Sequence, residues 1–126
     1  MSHTIIYNSE ESVIEVKVQG DLFLSEAKEF ITEAAQIAKE HGCFLILNDM
    51  REATVKLSMV EIYEMPKMIA AIFALSGLNA YKLKRALVAK KGLKDYIFFE
   101  TVTVNRSQSV KYFLDIDEAK KWLFGK

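Results

Sequence analysis

The sequence is poor in the residues that build metal centres, cross-links and chain breaks. Its 126 residues include one cysteine, Cys43, and two histidines, His3 and His41. A single cysteine excludes an internal disulfide and suits a reducing compartment. No Cys/His cluster has the spacing of a zinc site. No basic stretch followed by an apolar run marks the N-terminus as a secretory signal. The most apolar long stretch, residues 65–78, contains the only proline, Pro66, and Lys67. It is too short to cross a bilayer, so no membrane insertion is expected and a cytoplasmic location is. A basic excess is missing too: 17 Lys and Arg face 17 Asp and Glu. That balance argues against a nucleic-acid partner, which has phosphates to be neutralised.

What is present is apolar. About half of the residues are hydrophobic, enough for one domain burying roughly 68% of its unfolded surface. No repeat, linker or low-complexity run divides the chain, so residues 1–126 read as a single domain. The zero net charge hides an asymmetry. Residues 1–63 hold 11 acidic and 5 basic side chains, and residues 64–126 hold 6 and 12. Six cations fall in 82–94. These halves either complement each other within the fold or form a dipolar surface for a partner or a second copy.

Periodicity supplies the element order. Residues 4–7 and the alternation of Ile14, Val16 and Val18 predict an opening hairpin, stopped at Gly20-Asp21. Ser25 is placed to cap a first helix with Ala27, Phe30, Ile31, Ala34, Ile37 and Ala38 on its inner face. His41 falls in its last turn and Gly42 ends it. Residues 43–47 form a continuous apolar run, read as a central strand buried on both faces and ending in Asn48-Asp49-Met50-Arg51. Ser58 and Glu61 have capping-box spacing before a second helix, with a kink or split expected near Pro66. Residues 85–89 predict another buried strand. Residues 93–106 fit strand or helix, and helix is preferred because a crossover makes the flanking strands parallel. A last strand over 109–114 and a helix opened by Asp115 and Glu118 complete β-β-α-β-α-β-α-β-α. The expected fold class is α/β, a mostly parallel sheet of about five strands with an antiparallel edge.

Ligands of such sheets gather beyond the carboxyl ends of the strands. Asp21, Asp49 and Arg51 are the charged candidates there, and Thr54 and Ser58 the hydroxyl ones. A receiver-type Mg²⁺ site needs several converging carboxylates, and no adjacent acidic pair ends a strand. There is no Gly-x-Ser-x-Gly elbow and no phosphate-binding glycine loop. No catalytic residue, metal ligand or cofactor is therefore assigned. A metal-assisted enzyme using Asp21, Asp49 and Arg51 is the weakest of three functional readings.

Several segments together carry a family resemblance. They are Val18-Gln19-Gly20-Asp21-Leu22, Leu47-Asn48-Asp49-Met50-Arg51, Phe99 through Arg106, Val110-Lys111-Tyr112-Phe113 and Glu118-Ala119-Lys120-Lys121-Trp122-Leu123. The chain resembles the SpoIIAA-like branch of STAS domains, a group also linked to SEC14-like lipid-binding domains. The resemblance implies a five-stranded mixed sheet and supports a helix over 93–106. Anti-sigma-factor antagonists of the wider family switch partners when a serine at the start of the helix after the central strand is phosphorylated. Ser58 stands in that region, although Lys56-Leu57-Ser58-Met59 replaces the usual Asp-Ser-Ser-Gly. The first functional reading is therefore a non-enzymatic regulatory module that binds a protein partner. The second is a carrier of a small apolar ligand, suggested by the SEC14 link and by the Met-rich segment 59–73. A homodimer is compatible with either.

Overall fold

The structure, a computed structural model, describes residues 2–90 and 109–125. Five strands form one sheet in the order β1-β2-β3-β4-β5. They are β1 (Ser2–Asn8), β2 (Val13–Leu22), β3 (Leu45–Val55), β4 (Lys84–Val88) and β5 (Ser109–Phe113). β1 pairs antiparallel to β2, and every other pairing is parallel. The antiparallel strand thus lies at an edge, as its hairpin origin requires. Three helices are described: α1 (Leu24–His41), α2 (Met59–Leu75) and α3 (Ile116–Phe124). The helix expected over 93–106 lies outside the described residues.

Helices cover both faces unequally. On one face α1 and α2 pack over Ile14, Val16, Ile46, Met50 and Leu87. On the other, α3 presses Ala119 and Leu123 onto Val13, Leu47, Ala86 and Val88. The strand period of two sends alternate residues of β3 and β4 to opposite layers.

Four local expectations change. Ser25 is not the cap of α1: the helix starts at Leu24, Phe23 is its N-cap, and no side chain caps it. The Ser25 hydroxyl donates instead to Glu26 Oε2 at 2.9 Å. Gly20-Asp21 does not stop β2. Gly20 takes φ 84° inside the strand, a conformation that glycine adopts freely, and pairing continues to Leu22↔Val55. The central strand begins at Leu45 rather than Cys43, and Asn48 through Arg51 lie inside it, not beyond its end. Its second half reads as a loop in sequence because β4 pairs only with Leu45 to Asp49, leaving the rest flanked by β2 alone. Pro66 does not split α2, which runs unbroken from Met59 to Leu75 with the proline ring buried. Gly42 ends α1 in the left-handed region, and Ser58 closes a full capping box on α2.

Candidate functional site

The β2–β3 pairing decides where the charged candidates go. It runs Lys17↔Asp49 and then Gln19↔Glu52, so β3 carries one extra residue between these pairs. Such a bulge re-aims side chains and sharpens local twist. Ahead of it Ile46, Asn48 and Met50 face the α1/α2 layer; after it Ala53 and Val55 do. Asp49 and Arg51 flank the bulge and grip each other. Arg51 Nε donates to Asp49 Oδ1 at 2.9 Å and Nη2 to Oδ2 at 2.8 Å. The fork geometry matches a carboxylate in two places at once. Hydrogen bonding from Arg51, opposed by partial burial, holds the Asp49 carboxyl below its ordinary pKa. Each side chain thus satisfies the other. Neighbouring Glu52 takes 2.8 Å from Gln19 Nε2 and 3.2 Å from Lys17 Nζ.

Asp21 stands apart from this pair. It faces Thr54 across the pairing, four residues beyond Lys17 on β2, or roughly 13 Å along the strand at its usual rise. Asp21 and Asp49 therefore do not converge. Among the described residues no three His, Cys, Asp or Glu side chains could hold a metal ion.

Ser58 lies three residues past β3. Its Oγ accepts from Glu61 N at 3.1 Å, while its own N–H donates to Glu61 Oε1 at 2.8 Å. The serine is exposed, and so are Met59, Val60 and Tyr63 on the first turns of α2, Val60 to 72%. Phe23 is a further exposed aromatic at the same end of the sheet, where Leu22 O accepts from Lys56 N at 2.8 Å. The carboxyl ends of β2 and β3 thus gather Asp21, Thr54 and Ser58 beside an apolar surface that sequence reasoning missed. Exposed apolar residues at a helix start were the available signal.

The cations of 82–94 are less of a surface than the sequence suggested. Arg85 is only 5% exposed and faces the α1/α2 layer, and burial lowers its pKa to about 10. It remains cationic at neutral pH. The Lys84 ammonium donates to Trp122 O and lies 4.5 Å from the Trp122 ring centroid. Lys91 and Lys94 lie outside the described residues.

A second feature lies under α1 and α2. A cavity of about 80 Å³ is walled by Phe30, Ile62, Met65, Ile69, Phe73 and Leu87, among other apolar side chains. Two polar residues reach it from the sheet, Asn48 and Arg85. They come from adjacent strands and adjacent rows, since Asn48 pairs with Leu87 and Ile46 with Arg85. Asn48 is 7% exposed, and no hydrogen bond of its amide is found among the described residues. The sequence carried a signal for both: a polar residue at an inward position of a run that otherwise reads as core.

No family model matches the chain, and no curated protein does. Solved structures do. An anti-sigma factor antagonist from Mycobacterium paratuberculosis superposes with TM-score 0.60 at 14% identity, over 98% of this chain and 95% of that one. An uncharacterised protein with a SpoIIAA-like fold from Shewanella loihica gives TM-score 0.59 at 18% identity, over 97% and 92%. The chain therefore has a SpoIIAA-like fold. No described helix is long and apolar enough to cross a membrane.

Proposed function

We propose that this SpoIIAA-like chain is a regulatory module that docks a protein partner on the start of α2, with Ser58 as its switch. The supporting observation is the exposed apolar group of Met59, Val60 and Tyr63 immediately following an exposed, helix-capping serine. Burying such side chains in an interface is favourable, and Tyr is among the residues that anchor interfaces. The likeness to an anti-sigma factor antagonist supports a regulatory role at the level of fold. Phosphate on Ser58 would meet the positive end of α2 and compete with the Glu61 carboxylate for the Ser58 N–H. The modification would exchange one cap for another and add negative charge beside the apolar group. Thr54 is the weaker candidate, because Asp21 is its pairing neighbour.

Affinity capture from source cells, with wild type and Val60→Asp compared by quantitative mass spectrometry, tests the surface. A partner retained by wild type and lost from the variant is expected, together with a phosphorylated Ser58 in some growth condition. An unchanged partner set and a Ser58 unmodified in every condition would overturn the reading. Sedimentation across protein concentration separates a second copy from a different partner. An association that ignored ionic strength would remove any contribution from charge-matched docking.

A second reading, binding of a small apolar ligand, is supported by the cavity beneath α1 and α2. Its walls are apolar and include Met65, whose flexible side chain adapts to irregular shapes.

A further inference from the structure

The two edges of the sheet are built differently. At one edge β5 is five residues long and carries an exposed lysine, Lys111, at its centre. A lysine on a short edge strand discourages further pairing there. At the other edge β1 has seven residues, with no proline, lysine, arginine, aspartate or glutamate. It pairs with β2 without a register shift, and no described strand lies beyond it. Its outer backbone groups are a template for another strand.

The surface along that edge is complementary to itself. His3 Nε2 lies 3.2 Å from Glu33 Oε1, and the Tyr7 and His41 rings stack at 3.9 Å. α1 therefore runs in the direction of β1. From His3 to Tyr7 along the strand, and from Glu33 to His41 along the helix, the chain rises roughly 12 to 14 Å, which sets Ile37 level with Ile5. Side chains that face each other across an antiparallel pair share one side of the sheet, and the register centred on Ile5 is the one that pairs every residue of β1 with a copy of itself. A two-fold axis there sets Ile5 and Ile37 against their own copies, half-exposed Ile6 against Thr4, and Glu33 against His41. His3 takes only one oxygen of the Glu33 carboxylate. The His41 ring is exposed and makes no hydrogen bond among the described residues, and an imidazole has an N–H to donate in either protonation state. Glu40, the other acid near that end, accepts from Gln36 Nε2 at 3.3 Å. Because α1 packs on β1 and β2, strand spacing puts the two copies of α1 roughly 10 to 14 Å apart, within reach of these side chains.

We propose that β1, with Glu33, Ile37 and His41 of α1, is the interface for a second copy of this chain, forming a two-fold dimer with one continuous sheet. The closed two-fold leaves only the β5 edges exposed, so the pairing ends at two copies. The interface uses none of the residues proposed above to dock a partner.

Sedimentation velocity of the full chain across concentration is expected to show a monomer–dimer equilibrium. His41→Glu is expected to weaken the dimer about tenfold, since it turns two attractions across the axis into repulsions. Adding Glu33→Lys to that variant is expected to restore the dimer. Thr4→Cys and Ile6→Cys chains, mixed under mild oxidation, are expected to form a disulfide-linked pair that neither forms alone, which reads the register directly. Val60→Asp is expected to leave the dimer unchanged. A chain that stays monomeric at every concentration would overturn the proposal, as would a dimer indifferent to His41→Glu or single-cysteine chains that cross-link as well as the mixture. A dimer lost in Val60→Asp would also overturn it, by placing the second copy on α2.

Discussion

The two faces of the sheet differ in what their apolar layers enclose. On the α3 face polar groups are matched. Asp49 and Arg51 form a fork, Lys84 finds the Trp122 carbonyl and ring, and Lys120 reaches Glu11 at 3.1 Å. The apolar contact beneath is small and closed, with Ala119 and Leu123 on Val13, Leu47, Ala86 and Val88. On the α1/α2 face the apolar layer is much larger, and His3 pairs with Glu33 at 3.2 Å, yet the layer surrounds a cavity bordered by Asn48, whose amide has no hydrogen bond among the described residues, and by Arg85, which has a partner. A face that merely stabilised the fold would carry leucine at position 48. The difference teaches that the larger core is where local stability is given up, and such departures concentrate at functional sites.

Substitutions can break or sharpen that contrast. Phe73→Ala, at a fully buried position of the larger layer, is expected to cost about 4 kcal/mol in denaturant unfolding, because it enlarges an existing void. Leu123→Ala on the α3 face is expected to cost about 3 kcal/mol. A larger loss at Leu123 than at Phe73 would mean that the smaller face carries the fold. Asn48→Leu is expected to stabilise the chain by about 2 kcal/mol, since it removes an unsatisfied amide and fills part of the cavity. A lowered denaturation midpoint would show that Asn48 is satisfied in solution, and the contrast between the faces would fail. Ser58→Ala is expected to cost about 1 kcal/mol through loss of the cap, readable as faster amide exchange in the first turn of α2. Unchanged exchange there would remove the capping role.

The smallest effect belongs to the ion pair. Arg51 is nearly half exposed, whereas the Asp49 side chain is only 14% exposed, so screening limits the pair to about 0.5 kcal/mol. Asp49 has a lowered pKa in the folded chain. Its contribution is therefore fully present above the unfolded carboxylate value and fades as pH falls through the folded one. Arg51→Ala is expected to return the Asp49 pKa toward its ordinary value in a carboxyl-detected NMR titration. It is also expected to lower stability at neutral pH and to have no effect in strong acid. An unmoved Asp49 would mean that its other hydrogen bonds, and not Arg51, hold the carboxylate.

Helix ends and inner faces were legible in the sequence because they are local. Ser58-x-x-Glu61 capped α2 as its spacing required, and Gly42 ended α1. Propensity and spacing act within a few residues, and no neighbour overrode them. Ser25 misled because the chain leaving β2 enters the helix at Leu24, before the serine is reached. Residues 50–55 misled for a different reason. Their polarity reflects a half-strand with one sheet neighbour and solvent over one face, and alternation alone cannot distinguish that from a loop.

By itself, then, the sequence determined the fold class, the edge hairpin, the order of the described elements and the capped start of α2. Each follows from periodicity and capping chemistry that a short window contains. Only the tertiary structure decided that Asp49 closes on Arg51 while Asp21 stays apart, because the β2–β3 pairing sets Lys17, and not Asp21, opposite Asp49. It alone placed Asn48 and Arg85 at one void, because side-chain facing depends on register across three strands and on which face two distant helices cover. Register and facing are properties of the paired sheet, and no single strand contains them.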